Sequence, residues 1–209
     1  MSPPVPSVKP PAAPVRTGDM PARSESAGDP DEVLMERFCQ GDAPAFDALF
    51  QRYARPIQGY LARLTGSPAT AEDLAQLTFL SLVRSRGRYQ EGARVRPWLY
   101  AIATNAARDH ARRHRRPEDL TPEGELPLTA VADTPEPRDA GLERAVQRAL
   151  AQLPEGQRLP ILMHRFEGMG FAEIAEALGL TESAVKVRAH RGYARLRELL
   201  APLHQETAE

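Results

Sequence analysis

Apolar residues recur at helical spacing along two stretches of this chain, and the elements follow from that spacing. In "DEVLMERFCQ" Val33, Leu34 and Phe38 fall on one helical face. Gly41 ends that helix, and Asp42 is placed to cap the next, with Pro44 in its first turn. The second helix carries Phe46, Leu49, Phe50, Tyr53, Ile57, Tyr60, Leu61 and Leu64 on one broad stripe. Pro56 lies inside it and predicts a kink or a local break. Ser67-Pro68 starts a third helix, in which Leu74, Leu77, Leu80 and Val83 are expected to face one way. Gly87 and Gly92 bracket a loop, and Pro97 stands near the start of a fourth helix. There Trp98, Leu99, Ile102 and Ala106 are expected to be buried, Trp98 reading as core.

The period stops at Arg116 and returns at Asp139, through "GLERAVQRALAQL", "PEGQRLPILMHRF" and "FAEIAEALGLTESAVKVRAHRGYARLR". The fold class expected is all-α: an N-terminal helical bundle and a C-terminal helix-turn-helix domain, joined by a flexible acidic, proline-rich linker. Residues 1–30 hold Pro3, Pro4, Pro6, Pro10, Pro11, Pro14, Pro21 and Pro30 among Ser, Ala and Val, and read as a disordered tail. Residues 117–138 form the linker, longer than a usual connection inside one domain. The domains are therefore expected at 31–116 and 139–203, with a short tail at 204–209.

Charge sharpens this picture. The chain of 209 residues has a formal net charge of only -1, which by itself argues against a nucleic-acid partner. The charges are segregated, however. Between Arg84 and Arg116 the basic residues are Arg84, Arg86, Arg88, Arg94, Arg96, Arg108, Arg112, Arg113, Arg115 and Arg116, against Glu91 and Asp109 alone. Between Pro117 and Pro137 the acids Glu118, Asp119, Glu123, Glu125, Asp133 and Glu136 have no basic neighbour. Recognition depends on such local fields and not on their sum. Cys39 is the single cysteine, which excludes a disulfide within the chain, and it reads as a buried thiol. No apolar run approaches the ~18 residues of a membrane span, and no signal-peptide core is present, so a cytoplasmic protein without membrane insertion is expected.

The last hairpin is the first candidate for function. Ile174, Ala175 and Leu178 form the inner face of its first helix, Gly179 suits the left-handed helix end, and Thr181 can cap the second helix. Val185, Ala189, Gly192, Leu196 and Leu199 make the second inner stripe, where Ala189 and Gly192 permit close approach. The opposite side presents Ser183, Lys186, Val187, His190 and Arg191, with Arg188 among them. A helix-turn-helix places such a face in a major groove, where cations reach phosphates and guanine edges and Val187 can touch a thymine methyl. A wet basic hairpin, or a regulator binding as a dimer, fits this segment too.

The fourth helix discriminates better. Asn105, Arg108, Asp109, Arg112, Arg113 and Arg116 populate its polar side. Asn can hydrogen-bond an exposed base edge, and arginines hold phosphates and stack on bases. The cationic loop "RGRYQEGARVRP" before it can admit a splayed base. A dipole-stabilised helix end accounts for Arg112 to Arg116 in part, but not for Arg84 to Arg96. Asp109, His110 and His114 could be drawn as a metal cluster of a nuclease, but the arginines around them disfavour a cation. His164, His190 and His204 are scattered. No metal, cofactor or catalytic residue is expected.

From Asp31 to Leu203 the chain resembles the bacterial sigma factors of the extracytoplasmic-function group, in the sigma-70 family. The resemblance rests on "GDAPAFDALFQRY", "AEDLAQLTFL", "RPWLYAIATNAARDHARRHRR" and "LPEGQRLPILMHRFEGMGFAEIAEALGLTESAVKVRAHRGYARLR", in the family's order. It implies a region 2-like domain over 31–116 and a region 4-like domain over 139–203. It implies docking on core RNA polymerase through Asp73, Gln76, Val83 and Arg84, with Leu77 where the family usually has Glu. It implies reading of the -10 element by Arg94, Arg96, Asn105, Arg108, Arg112 and Arg113, with Arg94 and Val95 replacing the usual Ser and Phe. It implies reading of the -35 element by Ser183, Lys186, Val187, Arg188, His190 and Arg191. Leu153, Ile161, Leu162 and Phe166 match the segment that packs under the polymerase flap tip, some of them as core residues. The implied partners are core RNA polymerase, promoter DNA in duplex and single-stranded form, and an anti-sigma protein. The implied molecule is a monomer when free, not an enzyme, cytoplasmic, and at the nucleoid when bound to polymerase.

Overall fold

The computed structural model describes residues 28–114 and 138–206. The expected tail up to residue 27 and the expected linker up to residue 137 lie outside the described residues, as do Arg115 and Arg116. Every regular element among the described residues is helical.

The first module begins with α1 (Asp31–Cys39), whose first turn holds Asp31 and Glu32 at the positive end of the helix dipole. α2 (Ala43–Thr65) follows a one-turn reversal. Asp42 does stand at its N-cap, but its carboxylate accepts a 2.8 Å hydrogen bond from Arg37 and makes no side-chain cap. α2 continues through Pro56 without the expected break. Gly66 ends it at φ 72°, and the backbone N–H of Gly66 donates to the Ala62 carbonyl at 2.8 Å. α3 (Pro68–Ser85) starts as the sequence predicts: Pro68 opens the first turn, and the Thr70 N–H donates to the Ser67 hydroxyl at 3.3 Å. A short 3-10 turn (Arg86–Arg88) leads to the loop before α4 (Val95–His114). The Val95 N–H donates to the Glu32 carboxylate at 3.4 Å, which ties the start of α4 to α1.

Helices α2, α3 and α4 enclose one core with α1 across it. Two expectations about its faces are corrected. In α3 the inner stripe is Ala71, Leu74, Ala75, Thr78, Phe79 and Leu82, while Leu77, Leu80 and Val83 point outward at 42%, 50% and 37% exposure. Ala71, Ala75 and Thr78 thus lie inside beside Leu74, Phe79 and Leu82, a phase that hydrophobicity alone does not reveal. The Thr78 hydroxyl is satisfied by the Leu74 carbonyl at 2.7 Å, so its burial carries no orphaned polar group. In α4 the inner stripe is Val95, Leu99, Tyr100, Ala103, Thr104 and Ala107, and Trp98, Ile102 and Ala106 are only half-buried. Cys39 is exposed and not buried, because it sits at the open end of α1; its thiol donates to the Arg86 carbonyl at 3.3 Å.

The second module contains α5 (Arg138–Ala151), α6 (Glu155–Ile161), α7 (Phe171–Leu178) and α8 (Glu182–Glu206). Pro160 has no N–H to give to the helix ladder, and a π-helical turn (Leu162–Phe166) follows it directly. That wider turn ends at Phe166, and Gly168 two residues on stands at φ 64°. The hairpin is built as expected. Gly179 closes α7 at φ 65°, and the Ala184 N–H donates to the Thr181 hydroxyl at 3.2 Å. α8 crosses α6 so closely that a Cβ built on Gly192 would stand 2.6 Å from Ile161 Cδ1 and 3.2 Å from the Gln157 carbonyl oxygen. The side chain of Ile161 can yield, but the α6 backbone cannot.

Gly192→Val should therefore destabilise the chain by about 2 kcal/mol through overpacking, despite valine's better helix propensity than glycine's. Gly141→Ala, at a helical position with open space beyond it, should not. Chemical denaturation midpoints of the two variants measure the difference.

Candidate nucleic-acid interface

On α8 the inner stripe of Val185, Ala189 and Gly192 packs on α6 and α7, which turns the opposite face to solvent. Ser183, Lys186, Val187, His190 and Arg191 share that face at steps of three and four residues, and all are exposed. Val187 is 49% exposed, an apolar side chain held outward among cations. Lys186 is paired with Glu182 at 2.6 Å, one turn earlier. Arg188 is exposed too, but it lies on the flank of the stripe, and its guanidinium sits beside Gly156 at the start of α6.

On α4 the burial of Ala103, Thr104 and Ala107 turns Asn105 and Arg112 outward on one side. Asp109 lies between them and accepts from Arg112. Arg113 is exposed and donates to the Asp109 carbonyl at 3.2 Å. The rings of His110 and His114 lie tilted to one another with centroids 4.2 Å apart. Burial lowers the His110 pKa, helped by the charges of His114 and Arg113. The resulting surface suits an anionic strand better than a cation.

The loop before α4 forms a small aromatic recess. Tyr89 and Trp98 lie with ring centroids 5.5 Å apart, and the Tyr89 hydroxyl donates to the Ala93 carbonyl at 2.5 Å. Arg88, Gln90 and Arg94 complete a cavity of about 230 Å³. Partial burial pushes the Tyr89 phenol up to about 12, so it stays neutral at physiological pH. Two ring faces beside guanidinium groups can stack a base and hold its phosphate. Trp98 belongs to this recess, and its expected place in the core misses that.

On α3 the residues Asp73, Gln76, Val83 and Arg84 are all exposed. Leu77 and Leu80 join them on the same side and make it an apolar strip with polar ends. A wheel phased on Ala71, Ala75 and Thr78 would have shown this strip.

The structure does not leave the six α4-side candidates alike. Arg94 pairs with Glu176 of α7 at 2.5 Å, and Arg108 pairs with Glu155 of α6 at 2.7 Å. Arg96 donates to the backbone carbonyl of Glu167, after the π-helical turn. The Tyr100 hydroxyl donates to the Glu167 carboxylate at 2.6 Å, and Arg63 stands 3.5 Å from its other oxygen. Burial pushes the Glu167 carboxyl above the usual range, against the opposing pull of Tyr100, Arg63 and Arg96. Burial, then the bond to Glu167, raises the Tyr100 phenol. No sequence signal marks these glutamates, because each meets its arginine only when the modules pack.

Comparison with known proteins covers both modules. Residues 49–117 match Sigma-70 region 2, and residues 143–196 match Sigma-70, region 4. The RNA polymerase sigma factor CarQ of Myxococcus xanthus is 47% identical over 174 residues, covering 83% of this chain and 99% of that protein. The ECF RNA polymerase sigma factor SigM of Mycobacterium tuberculosis is 38% identical over 177 residues, covering 83% of this chain and 86% of its own. Among solved structures, CnrH in complex with the cytosolic domain of CnrY aligns with a TM-score of 0.66 at 26% identity, over 83% of this chain and 99% of that one. The sigma factor RpoE of Bartonella quintana, in complex with the anti-sigma factor NepR, shares the fold at a TM-score of 0.61 and 22% identity, over 75% of this chain and 96% of its own. No helix among the described residues is long and apolar enough to cross a membrane. With both regions matched in order and a relative of nearly equal extent, the chain belongs to the extracytoplasmic-function group of RNA polymerase sigma factors, in the sigma-70 family.

Proposed function

We propose that this chain binds core RNA polymerase and directs it to promoters, reading the -35 element with α8 and the -10 element with α4. The observation that carries the reading is the presence of two outward-facing DNA-type surfaces, each on its own module and each set by burial of the opposite helix face. Asp73, Gln76, Val83 and Arg84 dock on polymerase, joined by Leu77 and Leu80, whose exposed side chains supply the apolar part of the contact. Ser183, Lys186, Val187, His190 and Arg191 enter the -35 major groove, and Arg188 on the flank holds the backbone. Asn105 reads an unpaired base of the -10 element, while Arg94, Arg96, Arg108, Arg112 and Arg113 hold its phosphates.

Two modules on one chain need not bind tightly alone, because polymerase and the tether raise the effective concentration of each at its element. The duplex opens because the unpaired strand binds α4 and its recess better than the paired strand does, which shifts an equilibrium and catalyses no bond change. The chain is thus a monomeric, cofactor-free initiation factor acting in the cytoplasm and at the nucleoid. CnrH and RpoE are each described in complex with a protein partner, and this supports an anti-sigma protein as a partner here.

Run-off transcription with core polymerase tests the reading. Lys186→Ala and Arg191→Ala should each lower initiation roughly tenfold through the -35 element, since one good base contact contributes ~1–3 kcal/mol. Asn105→Ala should leave -35 binding intact and reduce permanganate-reactive open complexes instead. Full activity in all three variants removes the site assignment.

Leu77→Ala with Leu80→Ala should weaken binding to core polymerase by about tenfold, the loss expected from ~1.4 kcal/mol of apolar contact. Both side chains are outside the core, so the unfolding midpoint should stay where it is. Analytical ultracentrifugation with core enzyme measures the binding, and chemical denaturation of the free chain measures the midpoint.

A further inference from the structure

The second module carries an open apolar groove that none of the described residues fills. Its floor is Val146 and Leu150 of α5, Ile161 of α6, and Leu196 and Leu200 of α8. Phe166, 40% exposed, and the half-buried Tyr193 give it aromatic walls, and Arg165, His190 and Arg197 stand at its exposed rim. The space amounts to about 780 Å³. A continuous apolar surface of this kind facing water marks a site of interaction. We infer that its occupant is this chain's own proline-rich N-terminal segment, residues 1–27, docked along the edge formed by Val5, Val8, Pro11 and Pro14.

The sequence of the segment fits the groove in shape and in charge. Proline-rich sequence favours polyproline II, which has three residues per turn, so residues three apart share an edge. Residues 3–15 contain six prolines, and in that geometry Val5, Val8, Pro11 and Pro14 fall in one line. Apolar edges of this type dock in aromatic-walled grooves, and a preformed helix loses little entropy in doing so. Lys9 is the only charged side chain from Met1 to Val15, and it falls on a different edge. The docking edge therefore brings no like charge against Arg165, His190 and Arg197 at the rim.

The tether brings the segment to the right place. The described chain begins at Gly28, and Asp29 is fixed at once: its carboxylate pairs with Arg37 at 2.7 Å, and its carbonyl accepts from Arg52 at 3.0 Å. Asp31, Arg52 and Phe166 line one recess, and Phe166 is also a wall of the groove. The segment therefore leaves the first module beside the aromatic wall of its docking site. The 13 residues between Pro14 and Gly28 span up to about 40 Å when extended, so they reach the groove with slack. A site this near meets the tethered segment at an effective concentration on the order of millimolar, so weak contacts suffice. A separate peptide or a second copy of the chain has no such advantage.

The test uses the full chain with a nitroxide label at Ala12→Cys, off the docking edge, and with Cys39→Ser to remove the natural thiol. Methyl NMR reads which side chains the label approaches. The expected result is loss of the methyl signals of Val146, Leu150, Leu196 and Leu200, while those of Leu77 and Leu80 on the exposed α3 strip persist. Groove signals that persist leave the groove to another protein and overturn the docking, as does equal loss at the α3 strip. A second labelled chain carries Val5→Ser and Val8→Ser, both outside the described helices, and should recover the groove signals. Loss that survives these two changes reports nearness of the label without docking, and overturns the proposal. Dilution separates the remaining occupant: loss independent of protein concentration supports the tethered segment, and loss that fades on dilution assigns the groove to a second copy and overturns it.

Discussion

The orientation of α4 depends on one buried hydrogen bond. Tyr60 of α2 and Thr104 of α4 meet at 2.8 Å in a site from which water is excluded. Thr104 gives its only hydroxyl proton to the Tyr100 carbonyl at 2.7 Å, so Tyr60 must be the donor between them. Burial raises the Tyr60 phenol and keeps that proton in place. Rotating α4 by one residue would leave the buried Tyr60 hydroxyl without its partner, a cost of ~1–3 kcal/mol, while Thr104 would keep its bond inside the helix. The bond therefore fixes which side of α4 is inside, and with it the outward direction of Asn105 and Arg112.

In the second module a glycine sets how closely two helices approach. Gly192 lets α8 approach the α6 backbone more closely than any side chain would permit, and Val185 and Ala189 fill the seam. The exposed face of α8 is the complement of that seam. Both surfaces are thus consequences of packing on the opposite side of a helix, and a core substitution can disable DNA reading with every reading residue intact.

The two modules meet through the π-helical turn after Pro160. An α-helical continuation would place Phe166 and Glu167 differently around the axis, since a π turn adds a residue to the turn. In the observed geometry Phe166 lies under Arg63 and Glu167 reaches Tyr100 and Arg96. A backbone irregularity in one module thereby sets the charge environment of the other.

Helix identity, the caps at Ser67, Gly179 and Thr181, and the polar face of α8 were all legible in the sequence, because each depends on neighbours within about four residues. So was family membership, carried by motifs of fixed order. The register of α3 and α4 was not. Leu77, Leu80 and Trp98 are as apolar as the residues that are buried, and only the packing of the helices decided that Ala71, Ala75, Thr78, Ala103 and Thr104 go inside. The exposure of Cys39 was likewise decided by where α1 ends against Arg86. The pairing of Glu155, Glu167 and Glu176 with arginines of the other module lay furthest from view. Those contacts join residues 47 to 82 positions apart or so, and local pattern carries no information about which distant surfaces will meet.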